Sequence, residues 1–94
     1  MPLYILISTL TPKGRETIKQ HPERIKEVNK EIEELGAKVL DQYAVLGQYD
    51  FVNILDAPSD KAIVKLSIEL GARGTLQPMT MAALDMDQFV SSFK

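Results

Sequence analysis

Cysteine is absent from this chain of 94 residues, and histidine occurs once. Without cysteine the protein cannot form a disulfide, a thiolate nucleophile or a thiolate metal site. A structural zinc site would depend on carboxylates, which match zinc poorly compared with its usual ligands. A glycine-rich phosphate-binding motif is also lacking. The sequence therefore predicts no bound metal ion and no cofactor.

The chain has no strong charge of one sign and no long hydrophobic run. Its 13 acidic and 11 basic residues give a net charge of −2, so composition does not predict a nucleic-acid-binding surface. No apolar run approaches the roughly 18 residues that a membrane span needs, and the first residues lack the charged region of a secretory signal. We expect a cytoplasmic protein with neither nucleic acid nor a membrane as its partner.

The residues that are present are typical of a globular domain. Hydrophobic residues make up 45% of the chain and charged residues 26%, which excludes intrinsic disorder and predicts one domain over residues 1–94. A chain of this size buries only about two thirds of its unfolded surface when it folds. Association with a second copy would therefore add to its stability.

Strand and helix patterns follow one another in the order strand, helix, strand, strand, helix, strand. Thr11 and Pro12 are typical of a helix N-cap and first turn, whereas Pro22 interrupts the helix because it cannot donate the required hydrogen bond. Gly36 is expected to end a helix, and Gly47 permits a tight turn between two strands. The predicted elements are strands at 3–9, 37–46, 49–56 and 75–84, helical segments at 12–20 and 22–35, a helix opened by Pro58-Ser59-Asp60 and closed by Gly71, and a short helical tail at 86–94.

This order predicts an α+β fold, the ferredoxin-like βαββαβ sandwich with an antiparallel sheet of strand order 4-1-3-2. Pro78 cannot donate a ladder hydrogen bond, which agrees with an edge position for the last strand. In the second strand, alternation predicts Val39, Tyr43 and Val45 on one face. The helices cover one sheet face only, and the first and third strands are apolar on both faces. We expect a second subunit on the open face, giving a dimeric α/β barrel; the alternative is a monomer whose tail helix covers it.

Charged residues of the second helical segment are expected in solvent. Ile25, Val28, Ile32 and Leu35 recur at helical spacing and form a buried stripe. The charged residues that fill the rest, Arg24 and Glu31 included, form a solvated face. Arg73, in the loop after the last long helix, is able to hold a carboxylate or phosphate, but the lack of a phosphate motif favours a surface or interface charge.

Short segments spread over nearly the whole chain resemble the GYD domain family. The segments are Tyr4-Ile5-Leu6, Leu10-Thr11 with Gly14, His21-Pro22-Glu23-Arg24-Ile25, Leu46-Gly47-Gln48-Tyr49-Asp50-Phe51-Val52 and Asp56-Ala57-Pro58-Ser59-Asp60. The resemblance implies a dimeric α/β barrel of uncharacterised function. Residues 37–85 are also similar to the effector-binding domains of the Lrp/AsnC transcription regulators, which bind amino acids between subunits. The helix-turn-helix domain of those regulators is lacking, so direct DNA regulation is not implied.

The turn Gly47-Gln48-Tyr49-Asp50 has two compatible interpretations. In the structural one, Gly47 turns the chain, Tyr49 packs at an interface edge, and the Asp50 carboxylate accepts backbone N–H groups. In the functional one, Tyr49 and Asp50 lie at a cavity or subunit boundary and offer a hydroxyl and an acceptor to a polar ligand.

Three further residues are candidates for ligand binding. Asn53 is a polar residue within an apolar strand, so it needs a hydrogen-bond partner, which would be a water, a cross-strand group or a ligand. His21 is either a packing or helix-cap residue or an acid or base at a cavity mouth. The second role would need Asp50, Asp41 or Tyr43 within hydrogen-bond reach. Tyr43 itself is predicted as a ligand-binding residue.

Three function hypotheses remain. The first is a small homo-oligomeric protein that binds a metabolite at a cavity or subunit interface without catalysing a reaction. The second is a cofactor-independent enzyme similar to the monooxygenases, isomerases and lyases of this architecture, with His21, Tyr49 and Asp50 handling protons. The third is a purely structural subunit of an assembly. The sequence favours the first, because it contains no recognised catalytic arrangement.

Overall fold

A computed structural model describes residues 2–94; Met1, the first residue of the predicted domain, lies outside the described residues. Every predicted element is present, and most boundaries agree within two residues. No helix of residues 2–94 is long and apolar enough to cross a membrane. The elements are β1 (Leu3–Leu10), α1 (Pro12–Gln20), α2 (Arg24–Glu34), β2 (Lys38–Ala44), β3 (Phe51–Asp56), α3 (Asp60–Gly71), β4 (Leu76–Ala83) and α4 (Met86–Ser91).

The strands form one four-stranded antiparallel sheet in the order β2-β3-β1-β4. This is the predicted order 4-1-3-2 seen from the other edge, so the predicted topology is confirmed. β1 lies in the centre and pairs with β3 on one side and β4 on the other. β4 is an edge strand, as Pro78 requires.

The predicted caps and breaks explain where the helices begin and end. The Thr11 hydroxyl accepts a hydrogen bond from the Gly14 N–H at 3.1 Å, with Pro12 at the first helical position. Pro22 lies between α1 and α2, which therefore form two helices and not one long one. Ser59 caps α3 in the same way through the Ala62 N–H.

The core lies between the sheet and the helices α2 and α3. One face of β1 and β3 supplies buried side chains to it, α2 and α3 supply most of the others, and Ala37 and Ala57 come from the connections before β2 and after β3. A buried serine and a buried asparagine, Ser8 and Asn53, lie on the same sheet face. The buried hydrophobic residues are Tyr4, Leu6, Ile32, Ala37, Leu55, Ala57, Ile63, Leu66 and Leu70.

The prediction that Val39 and Tyr43 share a face of β2 is wrong. The pairing with β3 shifts between Val39, which opposes Leu55, and Asp41, which opposes Ile54. This β-bulge inserts one extra residue, which moves all later side chains to the other face. Val39 therefore packs against the core, whereas Tyr43 lies on the opposite face.

The second sheet face, which we call the open face, is apolar and remains uncovered. Tyr43 is 58% exposed, Met79 45% and Met81 42%. The tail helix α4 does not cover them, since its own apolar residues Met86 and Phe93 are 68% and 78% exposed. The cover that a monomer would need is therefore not supplied by α4. Asp41, which opposes Ile54, also lies on this face. The large apolar residues of the open face are Ile5, Ile7, Tyr43, Val52, Ile54, Met79 and Met81.

Candidate functional site

A cavity of about 260 Å³ opens between the helices and one end of the sheet; we call it the helix-side cavity. Most of its lining is aliphatic, with two arginines and two threonines among the polar contributions. Its residues come from the end of β1, from α1, α2 and α3, from the loop between α3 and β4, and from the start of β4. They are Leu10, Gly14, Thr17, Ile18, Arg24, Ile25, Val28, Leu70, Arg73, Thr75 and Leu76.

Two arginines of this lining converge on one carboxylate. Arg24 Nη1 lies 3.3 Å from Glu31 Oε1, and Arg73 Nη1 contacts Glu31 Oε2. All three side chains are about one-third exposed, so the prediction that Arg24 and Glu31 belong to a solvated face is wrong. The two residues are seven positions apart, close to two turns of α2, and therefore project on the same side as the buried stripe. Arg73 reaches them from the loop after α3.

The charges of this cluster are unbalanced. Burial raises the pKa of the Glu31 carboxyl, but the hydrogen bond and charge of Arg73, together with those of Arg24, lower it further than burial raises it. The net effect is a pKa below the ordinary glutamate value, so Glu31 is ionised at neutral pH. Two guanidinium groups share one negative charge, and the cluster carries a net positive charge at the cavity lining.

A smaller hollow of about 30 Å³ adjoins the helix-side cavity and shares four of its lining residues. Asn53 lines this inner hollow and is 5% exposed. Its Oδ1 atom is buried and accepts no hydrogen bond from residues 2–94. Beside it, the Asn29 and Gln42 side chains exchange two amide hydrogen bonds of 2.8 and 3.0 Å. An unpartnered buried carbonyl is unfavourable by about 1–3 kcal/mol, so Asn53 is suited to accept a bond from a bound molecule.

The hairpin turn is held by hydrogen bonds between Asp50 and the backbone of β1. Gly47 has a φ of 126°, which favours glycine. The Asp50 carboxylate accepts a hydrogen bond from the Leu10 N–H at 2.7 Å, and the Asp50 N–H donates to the Ser8 carbonyl at 2.9 Å. Asp50 thus fixes the start of β3 against the end of β1, as the structural interpretation expects. Tyr49 is half-buried in the same connection.

The five predicted ligand-binding residues do not form one site. His21 is exposed and lies 3.1 Å from Glu27 Oε2, with no contact to the helix-side cavity. Tyr43 lies on the open face, and Asn53 points to the helix side of the same sheet. Tyr49 and Asp50 belong to the β2–β3 connection. Ligand binding by these residues stays a prediction.

Arg24 and Glu31 were missed as site residues because their spacing matched an ordinary charged helix surface. The available signal was their position two turns apart on the side of Ile25 and Val28, next to an arginine-containing loop. That signal is weak, since many surface helices carry such pairs. Within residues 2–94, no three histidine, aspartate or glutamate side chains are grouped so as to hold a metal ion. The cluster is suited to binding an anion.

Comparison with known protein families shows which family the chain belongs to. The model of the GYD domain matches residues 4–92. The chain belongs to the GYD domain family. A Thermus thermophilus protein named glutamine synthetase and cystathionine beta-lyase binding protein is 43% identical to it over 95 residues, covering 100% of both chains.

Two solved structures share the fold of this GYD domain. MtbAldR matches with a TM-score of 0.67 at 16% identity, over 89% of this chain and 52% of that one. The leucine response regulatory protein of Mycobacterium tuberculosis matches with a TM-score of 0.55 at 13% identity, over 90% and 51%. The chain spans about half the length of these two proteins. At such identities the similarity shows the fold alone.

Proposed function

We propose that this GYD domain is a non-catalytic, self-associating protein that binds enzymes of amino-acid metabolism. The observation that carries the self-association is the open face, an apolar surface that the chain itself does not cover, whereas enzyme binding rests on a named relative. Surfaces of this kind are typical of protein interaction sites. The name of the relative from T. thermophilus supports proteins as partners.

A second copy of the chain is the proposed occupant of the open face. Four strands about 4.8 Å apart and up to eight residues long give this face roughly 500 Å² in projection. Two such faces bury about 1,000 Å², which reaches the lower bound for a specific interface. Contacts from α4, whose apolar side is exposed, would add to this area. The product is the dimeric α/β barrel.

Enzyme binding is supported by the T. thermophilus relative, whose name describes it as an enzyme-binding protein. At 43% identity over the full length of both chains, the two proteins are expected to share their surfaces in outline. We therefore propose glutamine synthetase and cystathionine β-lyase as partners to test first. Both are metabolic enzymes, which agrees with the cytoplasm as the proposed location.

The test measures binding to purified enzymes from the organism that encodes the chain. Immobilised glutamine synthetase and cystathionine β-lyase are titrated with the chain by biolayer interferometry, beside an unrelated oligomeric enzyme as the control. We expect saturable binding to at least one of the two with a Kd of about 10 µM or lower. No binding to either at about 100 µM, or equal binding to the control enzyme, would contradict the proposal.

A second candidate function is binding of a small metabolite, without chemistry, in the helix-side cavity. The unpartnered Asn53 Oδ1 atom beside an arginine-lined cavity favours it. The cofactor-independent enzyme hypothesis gains less support, because His21 is exposed and pairs with Glu27 on the surface.

A further inference from the structure

We propose that the helix-side cavity binds a small amphipathic carboxylate, with Arg24 and Arg73 on the carboxylate and Asn53 Oδ1 as the acceptor for a donor group at the inner end. This inference rests on the small-molecule candidate above and is independent of enzyme binding. It assigns both the place of the site and the chemistry of its ligand.

The charge of the cavity lining favours an anion. Arg24 and Arg73 both line the cavity, whereas Glu31, which neutralises one of their two charges, is not among its lining residues. Each guanidinium group carries five N–H donors, and a carboxylate accepts such donors in pairs. A ligand carboxylate would supply the negative charge that the cluster lacks.

The body of the ligand must be apolar and small. Ile18, Ile25, Val28 and Leu70 line the cavity, so a polar body would lose hydrogen bonds to water without replacing them. A cavity of about 260 Å³ lies just below the usual range of small-molecule sites. The size fits a short aliphatic or single-ring acid.

The inner end of the site supplies one specific polar contact. Asn53 Oδ1 is buried and unpartnered, and its hollow shares Ile25, Val28, Leu70 and Leu76 with the cavity. A hydroxyl or amino group at the far end of the ligand would satisfy this atom. The alternative is that a water molecule in the hollow bonds to Asn53, in which case the far end of the ligand makes no difference.

The test is a titration with defined probes followed by ¹H–¹⁵N NMR of the labelled protein. The probes are hexanoate, octanoate and decanoate, their ω-hydroxy derivatives, and octanol and octylamine as neutral and cationic controls. Leucine and 4-methyl-2-oxopentanoate distinguish an amino acid and a keto acid from a simple fatty acid. We expect the acids to shift the amide signals of Ile25, Val28, Leu70 and Thr75, and octanol and octylamine to bind at least about tenfold more weakly.

Variants connect the binding to the named residues. Arg24→Gln and Arg73→Gln should each weaken octanoate binding by about tenfold or more, because a hydrogen bond to a charged group is lost. Lys26→Gln, an exposed charge on the same helix, is the matched control and should leave the affinity unchanged. The dispersion of the NMR spectrum shows whether each variant is folded. Octanoate affinity unchanged in both arginine variants, or equal to that of octanol, overturns the proposal.

The ω-hydroxy acids test Asn53 separately. At least one should bind more tightly than its parent acid to the wild type, and this difference should disappear in Asn53→Leu. If each ω-hydroxy acid binds the wild type as tightly as its parent acid, Asn53 does not contact the ligand and its partner is a water molecule. If octanoate binds but shifts signals of the open face and not those of the cavity, the protein binds a small molecule, but the helix-side cavity is not its site. If no probe binds, both the small-molecule function and the assigned site are wrong.

Discussion

Position 14 requires glycine because of a close contact with a neighbouring segment, and not because of the backbone conformation of α1. A Cβ atom at this position would lie 1.9 Å from the Thr75 carbonyl oxygen, which is backbone and unable to move away freely. The same contact region includes hydrogen bonds from the Thr11 N–H to the Thr75 carbonyl and from the Thr11 hydroxyl to the Gly74 carbonyl. The start of α1 is thus held against the loop before β4, beside the helix-side cavity.

Gly14→Ala should therefore destabilise the protein although alanine favours helices. Helix propensity alone predicts a gain of about 1 kcal/mol in the free energy of unfolding, whereas the steric conflict predicts a loss of about 2 kcal/mol. Urea denaturation of the variant shows whether its free energy of unfolding is lower or higher than that of the wild type. Lys13→Ala, at the exposed preceding position of α1, is the control and should change little. A variant as stable as the wild type would mean that the loop moves to accept the methyl group.

Asp50 is a second residue whose role follows from backbone contacts. Asp50→Ala leaves the Leu10 N–H without its acceptor and should lower the free energy of unfolding by about 1–3 kcal/mol. Asp50→Asn keeps an oxygen acceptor and should therefore lower the free energy of unfolding by less than Asp50→Ala does. Gln48→Ala, an exposed neighbour in the same turn, serves as the control. Equal stability of all three variants would contradict the structural role and favour the predicted ligand-binding role.

At the scale of elements, a hydrogen bond between Tyr4 and Asp60 joins the central strand to α3. The Tyr4 hydroxyl donates to Asp60 Oδ1 at 2.6 Å, where Asp60 is the first residue of the helix. This hydrogen bond raises the pKa of the Tyr4 hydroxyl above its ordinary value, and burial and the negative charge of Asp60 raise it further. Loss of the Tyr4 proton would place two negative charges side by side between β1 and α3.

The raised pKa of Tyr4 predicts how stability depends on pH. Since the folded-state pKa lies above the unfolded value, the stabilisation is fully present below about pH 10 and is lost as the pH rises through the folded-state pKa. The ultraviolet absorbance of tyrosinate should show a phase, with the amplitude of one of the three tyrosines, above the ordinary tyrosine range. Asp60→Asn should bring this titration back toward the ordinary range. A wild type without this late phase would contradict the contact.

At the scale of the whole molecule, the open face is the surface that the proposed dimer would bury. Ile5 and Met81 are paired across β1 and β4 and lie on this face. A lysine at either position places its ammonium group in the apolar interface of the proposed dimer, where burying a charge is unfavourable. The outer side of α3 carries comparable exposed apolar residues, Val64 and Ile68, without belonging to the face.

The double variant Ile5→Lys with Met81→Lys should weaken dimerisation by about 100-fold or more. Light scattering during size-exclusion chromatography measures the mass of each species. Val64→Lys with Ile68→Lys adds the same charge outside the face, so it should remain as dimeric as the wild type. A wild type that is monomeric at about 100 µM would contradict the dimeric barrel. If the Ile5 and Met81 variant still dimerises but the Val64 and Ile68 variant does not, the interface lies on α3 and not on the open face.

The sequence by itself determined the topology of this GYD domain. Proline and glycine act within a few residues, so Pro12, Pro22 and Gly36 indicated where helices begin and end. The handedness of the crossovers then leaves few strand orders, and Pro78 selected the edge. The bulge in β2 was not predictable, because it depends on pairing with β3 and moves Tyr43 to the face opposite Val39.

Only the tertiary structure decided the candidate site. Arg73 is 42 positions from Glu31, and no periodic pattern connects residues so far apart. Asn53 was identifiable as a polar residue in an apolar strand, but whether its oxygen finds a partner depends on what α2 and β2 place next to it. Local rules fix elements through neighbouring residues, whereas a cavity and its charges arise where distant segments meet, and the sequence carries no local signal for that meeting.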